Sequence, residues 1–315
     1  MIAYLIRRVA TSIVVLIGVS IVIFLLLHAI FPSPARSVLG LRATALQIEQ
    51  WNRQNGYDDP VFVQYGRYVW QLLHGNFGYS YVENQSVFAL FANRIGRSAW
   101  LSGISLLFSL VIAVPLGIYQ ARKRNTFGDN VATSVAFVAY SMPVFFLGLI
   151  LIQVFAISWP VLGFEASQST SVLTVMGDWH DMLLPVLTLT LITVASFSRY
   201  MRSSAMDVLA QDYIKVARAK GLPERLVMLR HLLRNACLPI ITLVGLSIPT
   251  LLAGNLITEE LFNYPGLGLL FFNSLSKVDY PVLLAYTLIG AVLVIVGNFI
   301  ADMALSAADP RIRLS

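Results

Sequence analysis

The chain has 315 residues and a mass of 34.8 kDa; 57% of it is hydrophobic, 12% is charged, and its mean hydropathy is +0.74. That charged fraction is about half that of an ordinary soluble domain, which excludes a water-soluble globule or a disordered chain and leaves an integral membrane protein. The net charge of +6 sorts by side of the membrane and gives no reason to invoke nucleic acid.

Six apolar stretches follow one another, at 9–31, 99–121, 131–157, 182–198, 237–257 and 282–304. An apolar run of about 18 or more residues crosses the roughly 30 Å hydrocarbon layer as a helix. Five stretches reach that length; 182–198 does so with its flanks, Pro185 suiting a first helical turn and Arg199 and Arg202 supplying a polar stop. Arg7 and Arg8 before the first stretch resemble a secretory signal. The run that follows is longer than a signal core, and Pro32-Ser33-Pro34 is a poor cleavage site, so an uncleaved anchor is expected. With residues 1–8 in the cytoplasm, all but seven of the 22 Lys and Arg fall on the inner side, including Arg122-Lys123-Arg124, the loop 199–236, and Arg311 and Arg313 in the tail 305–315. The positive-inside rule then puts both termini in the cytoplasm.

The outer segment 32–98 mixes aromatics (Trp51, Tyr57, Phe62, Tyr65, Tyr68, Trp70) with turn signals at Asn55-Gly56 and Asp58-Asp59-Pro60. It holds enough apolar side chains for a small folded cap, which leaves open a docking platform or a loop that only stabilises the bundle. Pro143 removes a backbone hydrogen bond inside the third span and predicts a kink, either lining a pore or serving packing. In the loop after the fourth span, Asp207 to Lys220 reads as a helix, Gly221 as its left-handed stop, and Pro223 as the first turn of a second helix. There Leu222, Leu226, Leu229 and Leu233 recur at helical spacing and form an apolar stripe. The stripe needs the membrane interface, the chain's own spans or a partner to cover it. Gly245, Gly254, Gly290 and Gly297 in the last two spans fit close helix packing, and Asp302 near the inner boundary can snorkel or meet an arginine.

Several chemistries find no support. None of the four lysines follows a glycine, so no phosphate-binding loop of the Gly-Lys-Ser/Thr kind is present. The four histidines form no metal-ligand pair, and Cys237 is alone, so neither a metal centre nor an internal disulfide is expected. The spans are nearly free of ionisable groups, which argues against a proton- or ion-coupled carrier. What remains is a pathway with an outer cap, an inner hairpin and no engine of its own; a scaffold or sensor and a secondary carrier stay as alternatives of another class.

Gln211-Asp212-Tyr213-Ile214-Lys215-Val216-Ala217-Arg218-Ala219-Lys220-Gly221-Leu222, followed by His231-Leu232-Leu233-Arg234-Asn235-Ala236 and Leu238-Pro239, resembles the cytoplasmic signature of ABC importer permeases, in the dipeptide/oligopeptide/nickel branch. Tyr57-Asp58-Asp59-Pro60, Gly75 to Ser80, Thr258 to Gly268, Asp279-Tyr280-Pro281 and Asp309-Pro310-Arg311-Ile312-Arg313 extend the match along nearly the whole chain. The resemblance implies an all-α polytopic membrane protein of six transmembrane helices, with a core permease domain over 99–304 and a coupling hairpin at 203–235. It implies a bacterial or archaeal inner membrane, a second homologous permease, two cytoplasmic ATPase subunits and an external solute-binding protein. The cargo would be short peptides, with nickel, its chelate or glutathione as alternatives. ATP and Mg would be bound by the partner subunits, this chain holding no cofactor, catalytic residue or metal. Ala217, Gly221, Leu222, Leu226 and Leu229 would couple the pore to the ATPase. Where the general importer signature opens on Glu-Ala-Ala, this chain reads Lys215-Val216-Ala217, which removes any case for a glutamate-specific salt bridge. The outer face also departs from the branch, with Phe31-Pro32-Ser33-Pro34 after the first span and Asn76 in place of a frequent acid.

Overall fold

The computed structural model describes residues 2–31, 33–40, 42–169 and 171–308. The predicted tail arginines Arg311 and Arg313 lie outside the described residues, as does Pro32. The first apolar stretch is a single helix, α1 (Ile2–Ile30). The segment after it folds into α2 (Ala35–Leu39), α3 (Ala45–Asn55), α4 (Val61–Leu73) and a hairpin of β1 (Tyr79–Ser80) with β2 (Gln85–Ser86). Thr44 and Gln47 close a capping box at the start of α3. The Tyr65 hydroxyl lies 2.7 Å from Ser20 Oγ of α1, and Phe24 and Leu284 form a small core under Tyr65 and Tyr68. The cap is thus seated on α1 and on the last helix.

Helix α5 (Val87–Arg122) begins at Val87 instead of 99, because Ser86 caps it and Val87, Leu90 and Phe91 are buried. The predicted continuous third span is broken into α6 (Phe127–Ser141) and α7 (Val144–Ile152), the latter running on as a π-helical stretch, Gln153–Ser158. The two halves meet at 104°. Pro143 forces Met142 into an extended conformation (ψ 133°), so the expected kink is a full corner. After α8 (Val172–Gly177) comes α9 (Trp179–Leu209), which passes straight through its predicted end at 198. Arg199 and Arg202 do not stop it because α6 receives both. The Arg199 guanidinium lies 4.5 Å from the Phe137 ring centroid. Arg202 grips Asp129 with two hydrogen bonds of 2.8 Å.

Next come α10 (Asp212–Ala219), α11 (Glu224–Leu226) with a second π-helical stretch Val227–Leu233, α12 (Arg234–Ala236) and α13 (Leu238–Ala253). The helical segment Glu224–Ala236 meets Leu238–Leu251 at 46°. The chain closes with α14 (Leu256–Leu261), α15 (Leu267–Lys277) and α16 (Tyr280–Ala308). Helix α13 stops at Gly254 (φ 91°), before the predicted end at 257. The most extensive helix pairs are α5 with α9, running parallel, and α13 with α16. The fold is thus mostly helical, with, among the described residues, four helices long and apolar enough to cross a membrane, or up to six if each bent pair is one span.

Asp279, just before α16, is buried and accepts a hydrogen bond from the Ser80 hydroxyl, tying the β-hairpin to the bundle. Burial pushes its carboxyl above the ordinary range, against the pull of the Ser80 bond. A carboxyl raised in this way keeps its proton in the folded state after the unfolded chain has lost it. Its contribution to stability therefore falls as pH rises from the unfolded value of about 3.9 through the raised folded value. Asp279→Asn is expected to flatten that decline. Thermal unfolding of both proteins in detergent across about pH 4 to 7 checks it; parallel curves would overturn the assignment.

Candidate functional site

The segment between α9 and α13 forms a hairpin at one end of the bundle. Arg122, the Asp129–Arg202 pair and the Arg8–Asp302 pair lie toward that end. Its turn is a complete Schellman motif: the Gly221 N–H donates to the Arg218 carbonyl at 3.0 Å and the Leu222 N–H to the Ala217 carbonyl at 3.3 Å. That geometry needs the left-handed conformation, and Gly221 supplies it at φ 77°; a Cβ there would meet open space. Across the turn Arg218 holds Glu224 with two hydrogen bonds, Nε to Oε2 at 3.1 Å and Nη2 to Oε1 at 2.9 Å. Pro223 is the N-cap of α11 and not a residue of its first turn.

One side of the hairpin belongs to the bundle. Ile214, Ala217, Val227, Met228 and Leu232 are buried in a core with Phe197, Met201, Ala205, Ala236 and Ile240. Ala217, expected to face the ATPase, is only 5% exposed. It presses α10 onto that core and holds the hairpin in place. Leu222 and Leu233 are partly buried against the same core. Leu226 and Leu229 are exposed, at 37% and 55%. The predicted four-leucine stripe is therefore split. Leu222 lies in the turn, ahead of the helix that begins at Glu224, and the π-helical stretch Val227–Leu233 adds about a residue per turn, so the spacing that would align Leu233 with Leu226 and Leu229 on an α-helix turns it inward. The free face is completed by Tyr213 and Val216 of α10, both exposed, which the stripe argument missed. The signal for them was the apolar pairs 213/216 and 214/217 side by side, which give a short helix two apolar faces, of which one bundle can cover only one.

At the opposite end of the bundle a buried carboxylate fixes the loop after α13. Glu259 has no exposed surface. Its Oε1 accepts from Ser98 Oγ at 2.8 Å and from the Asn255 N–H at 3.1 Å. Its Oε2 accepts from the Gly268 and Leu269 N–H groups at 2.7 and 3.3 Å, at the N-terminus of α15. Burial pushes this carboxyl up, and the four donors oppose the shift. A Cβ on Gly266 would lie 2.3 Å from Oε2, so the chain can wrap the carboxylate only with glycine there. The Tyr264 hydroxyl donates to the Arg97 carbonyl at 2.7 Å and closes the loop onto α5.

A mostly helical chain with several helices long and apolar enough to cross a membrane, carrying at one end a short hairpin with an exposed apolar face, defines a multi-pass membrane protein. The family model "Binding-protein-dependent transport system inner membrane component" matches residues 113–314, and its N-terminal companion model matches residues 1–102. The chain is 37% identical over 316 residues to the oligopeptide transport system permease protein AppB of Bacillus subtilis (strain 168). It is 36% identical to the glutathione transport system permease protein GsiC of Escherichia coli (strain K12) and 35% to that of Salmonella paratyphi A. Each alignment covers 99% of both chains. The chain belongs to this family: it is a permease subunit of an ABC importer, a multi-pass protein of the inner membrane that works with ATPase and binding-protein partners.

Proposed function

We propose that this chain is one of two half-pores of an importer for short peptides. A second homologous permease completes the pathway, two cytoplasmic ATPase subunits holding ATP and Mg drive it, and an external binding protein delivers the cargo. The observation that carries the reading is the hairpin: a face of Tyr213, Val216, Leu226 and Leu229 left exposed while the other face is locked into the bundle. Rotation of a partner bound there passes to α9 and α13 through buried contacts.

Connectivity supports six spans with both termini in the cytoplasm. Helices α5 and α9 run parallel, with Ser109 beside Thr190 and Gly117 against Met201. The chain must therefore cross back between them, and the bent pair α6–α7 is the crossing. The segment from the hairpin to the Glu259 loop crosses likewise through α13. The two relatives' names give oligopeptides and glutathione as cargo. Glutathione is itself a tripeptide, so both fall within one class.

The test is affinity purification of the tagged chain in mild detergent, with mass spectrometry of every co-purifying protein and of small molecules released on denaturation. A second permease, ATPase chains and a binding protein carrying peptide are expected. Recovery of the chain with none of these would overturn the reading.

A further inference from the structure

The cleft between α1 and α16 carries a second assignment. It has a volume of about 480 Å³ and is lined by Arg7, Arg8, Thr11, Ser12 and Val15 on one helix and by Val294, Ile295 and Asn298 on the other. Its polarity is graded. Arg7 and Arg8 stand at its mouth, Thr11, Ser12 and Asn298 come next, and Val15, Val294 and Ile295 line the inner part. On α1 the sequence from Arg7 to Val15 covers two helical turns, roughly 12 Å along the membrane normal. Arg8 is partly committed, its guanidinium lying 2.6 Å from Asp302. The Arg7 side chain is exposed, and among the described residues its guanidinium has no hydrogen-bond or ion partner. Helix α1 is also the least enclosed of the spanning helices, with 11% of its apolar window buried.

A cationic mouth, a short ladder of hydroxyl and amide groups and an apolar inner wall, in that order, match a phospholipid: phosphate, glycerol and ester region, acyl chain. The geometry points to a binding site for an anionic phospholipid in this cleft, with Arg7 as the phosphate ligand, supported by Arg8. Polar and apolar groups succeed one another at the depth where a headgroup gives way to hydrocarbon, which free phosphate would not require. Two like charges side by side at a membrane boundary, one without a partner among the described residues, are relieved by that ligand. Placement in the inner leaflet rests on the orientation proposed above; the cleft and its grading do not.

The experiment uses the full-length chain purified from nanodiscs of equal phosphatidylglycerol and phosphatidylcholine, with native mass spectrometry of the lipids it retains. Preferential retention of phosphatidylglycerol is expected. Arg7→Gln should lower it about fivefold, the change that goes with roughly 1 kcal/mol per basic residue near an anionic surface. Arg7→Lys should keep most of it, and Arg53→Gln on the cap should leave it unchanged. Because Arg7 is exposed, its substitution does not threaten the fold; an unchanged elution profile on gel filtration checks that. Equal retention of the two lipids, or undiminished phosphatidylglycerol on Arg7→Gln, would overturn the assignment. So would complete displacement of the lipid by inorganic phosphate, which would make the cleft an anion site only. Cross-linking of Ser12→Cys to the second permease in the assembled complex would give the cleft to that chain instead. None of these readouts depends on transport, so the site and the importer reading fail separately.

Discussion

Gly221→Asp is expected to leave the protein in the membrane and to lower peptide uptake at least about thirtyfold. The side chain itself meets nothing, since the space around the glycine is open. Its two effects are on the backbone and on the docking face. A non-glycine residue at φ 77° costs roughly 1–2 kcal/mol, less for Asp or Asn, whose short polar side chains tolerate this region. That is too little to unfold a membrane bundle. The new carboxylate, however, enters the turn beside the apolar face of Leu226 and Leu229. A charge set into the contact of an interface hot spot removes 2 kcal/mol or more of binding, about thirtyfold. Gly221→Asn takes the same backbone without the charge and should retain most uptake, with Gly221→Ala in between. Leu229→Ala, at an exposed position, should weaken ATPase co-purification while leaving stability within about 0.5 kcal/mol. Uptake of labelled peptide, immunoblotting of membranes and ATPase recovery separate these outcomes. Normal uptake by Gly221→Asp would sink the coupling assignment.

That prediction was open to the sequence because Gly221 sits between a helical pattern and a proline, and the Schellman turn is local chemistry. The rest of the hairpin was less legible. Stripe reasoning assumes one continuous helix of about 3.6 residues per turn, but Leu222 belongs to the turn before Glu224 and the π-helical stretch at Val227–Leu233 departs from that period, which carries Leu233 inward. Ala217 could equally have faced a partner or the core, because alanine fits either; only its contact with the core around Met201 decides. The apolar stretches were legible in composition and their ends were not. Arg199 and Arg202 read as a polar stop until α6 brings the Phe137 ring to Arg199 and Asp129, 73 residues earlier, to Arg202. Similarly, Pro143 predicts a disturbed helix, but the 104° corner follows only when Met142 goes extended and α7 packs by Gly148 against Leu261. Glu259 was the largest omission. Two adjacent glutamates in a loop look solvated, and the signal that one is buried was the set of close glycines at 254, 266 and 268, whose need for room makes sense only around a bulky acceptor.

Glu259→Ala is accordingly expected to be the most damaging single substitution outside the hairpin. It strips the acceptor from the Ser98 hydroxyl and from the N–H groups of Asn255, Gly268 and Leu269, in a site with no solvent contact. Each buried donor left unmade costs about 1–3 kcal/mol, and the vacated volume adds a cavity. Ser98 can redirect its hydroxyl, and water can enter the hole, so the sum is closer to 3–5 kcal/mol than to the full total. That is a large share of the margin of about 5–15 kcal/mol by which a typical fold exceeds its unfolded state. Glu259→Gln keeps the volume and one acceptor oxygen. Its amide is best placed toward Ser98, which can turn to accept from it, leaving the Asn255 N–H unpaired at a cost of about 1–3 kcal/mol. The expected order of thermal midpoints in detergent is therefore unsubstituted, then Gln, then Ala, with membrane levels falling in the same order. Because the carboxyl ties α14 and the N-terminus of α15 to α5 through Ser98, the loss should appear first as increased proteolysis between Gly254 and Lys277. A Glu259→Ala protein with unchanged midpoint and unchanged proteolysis would mean that the loop is held by Tyr264 and its apolar neighbours alone.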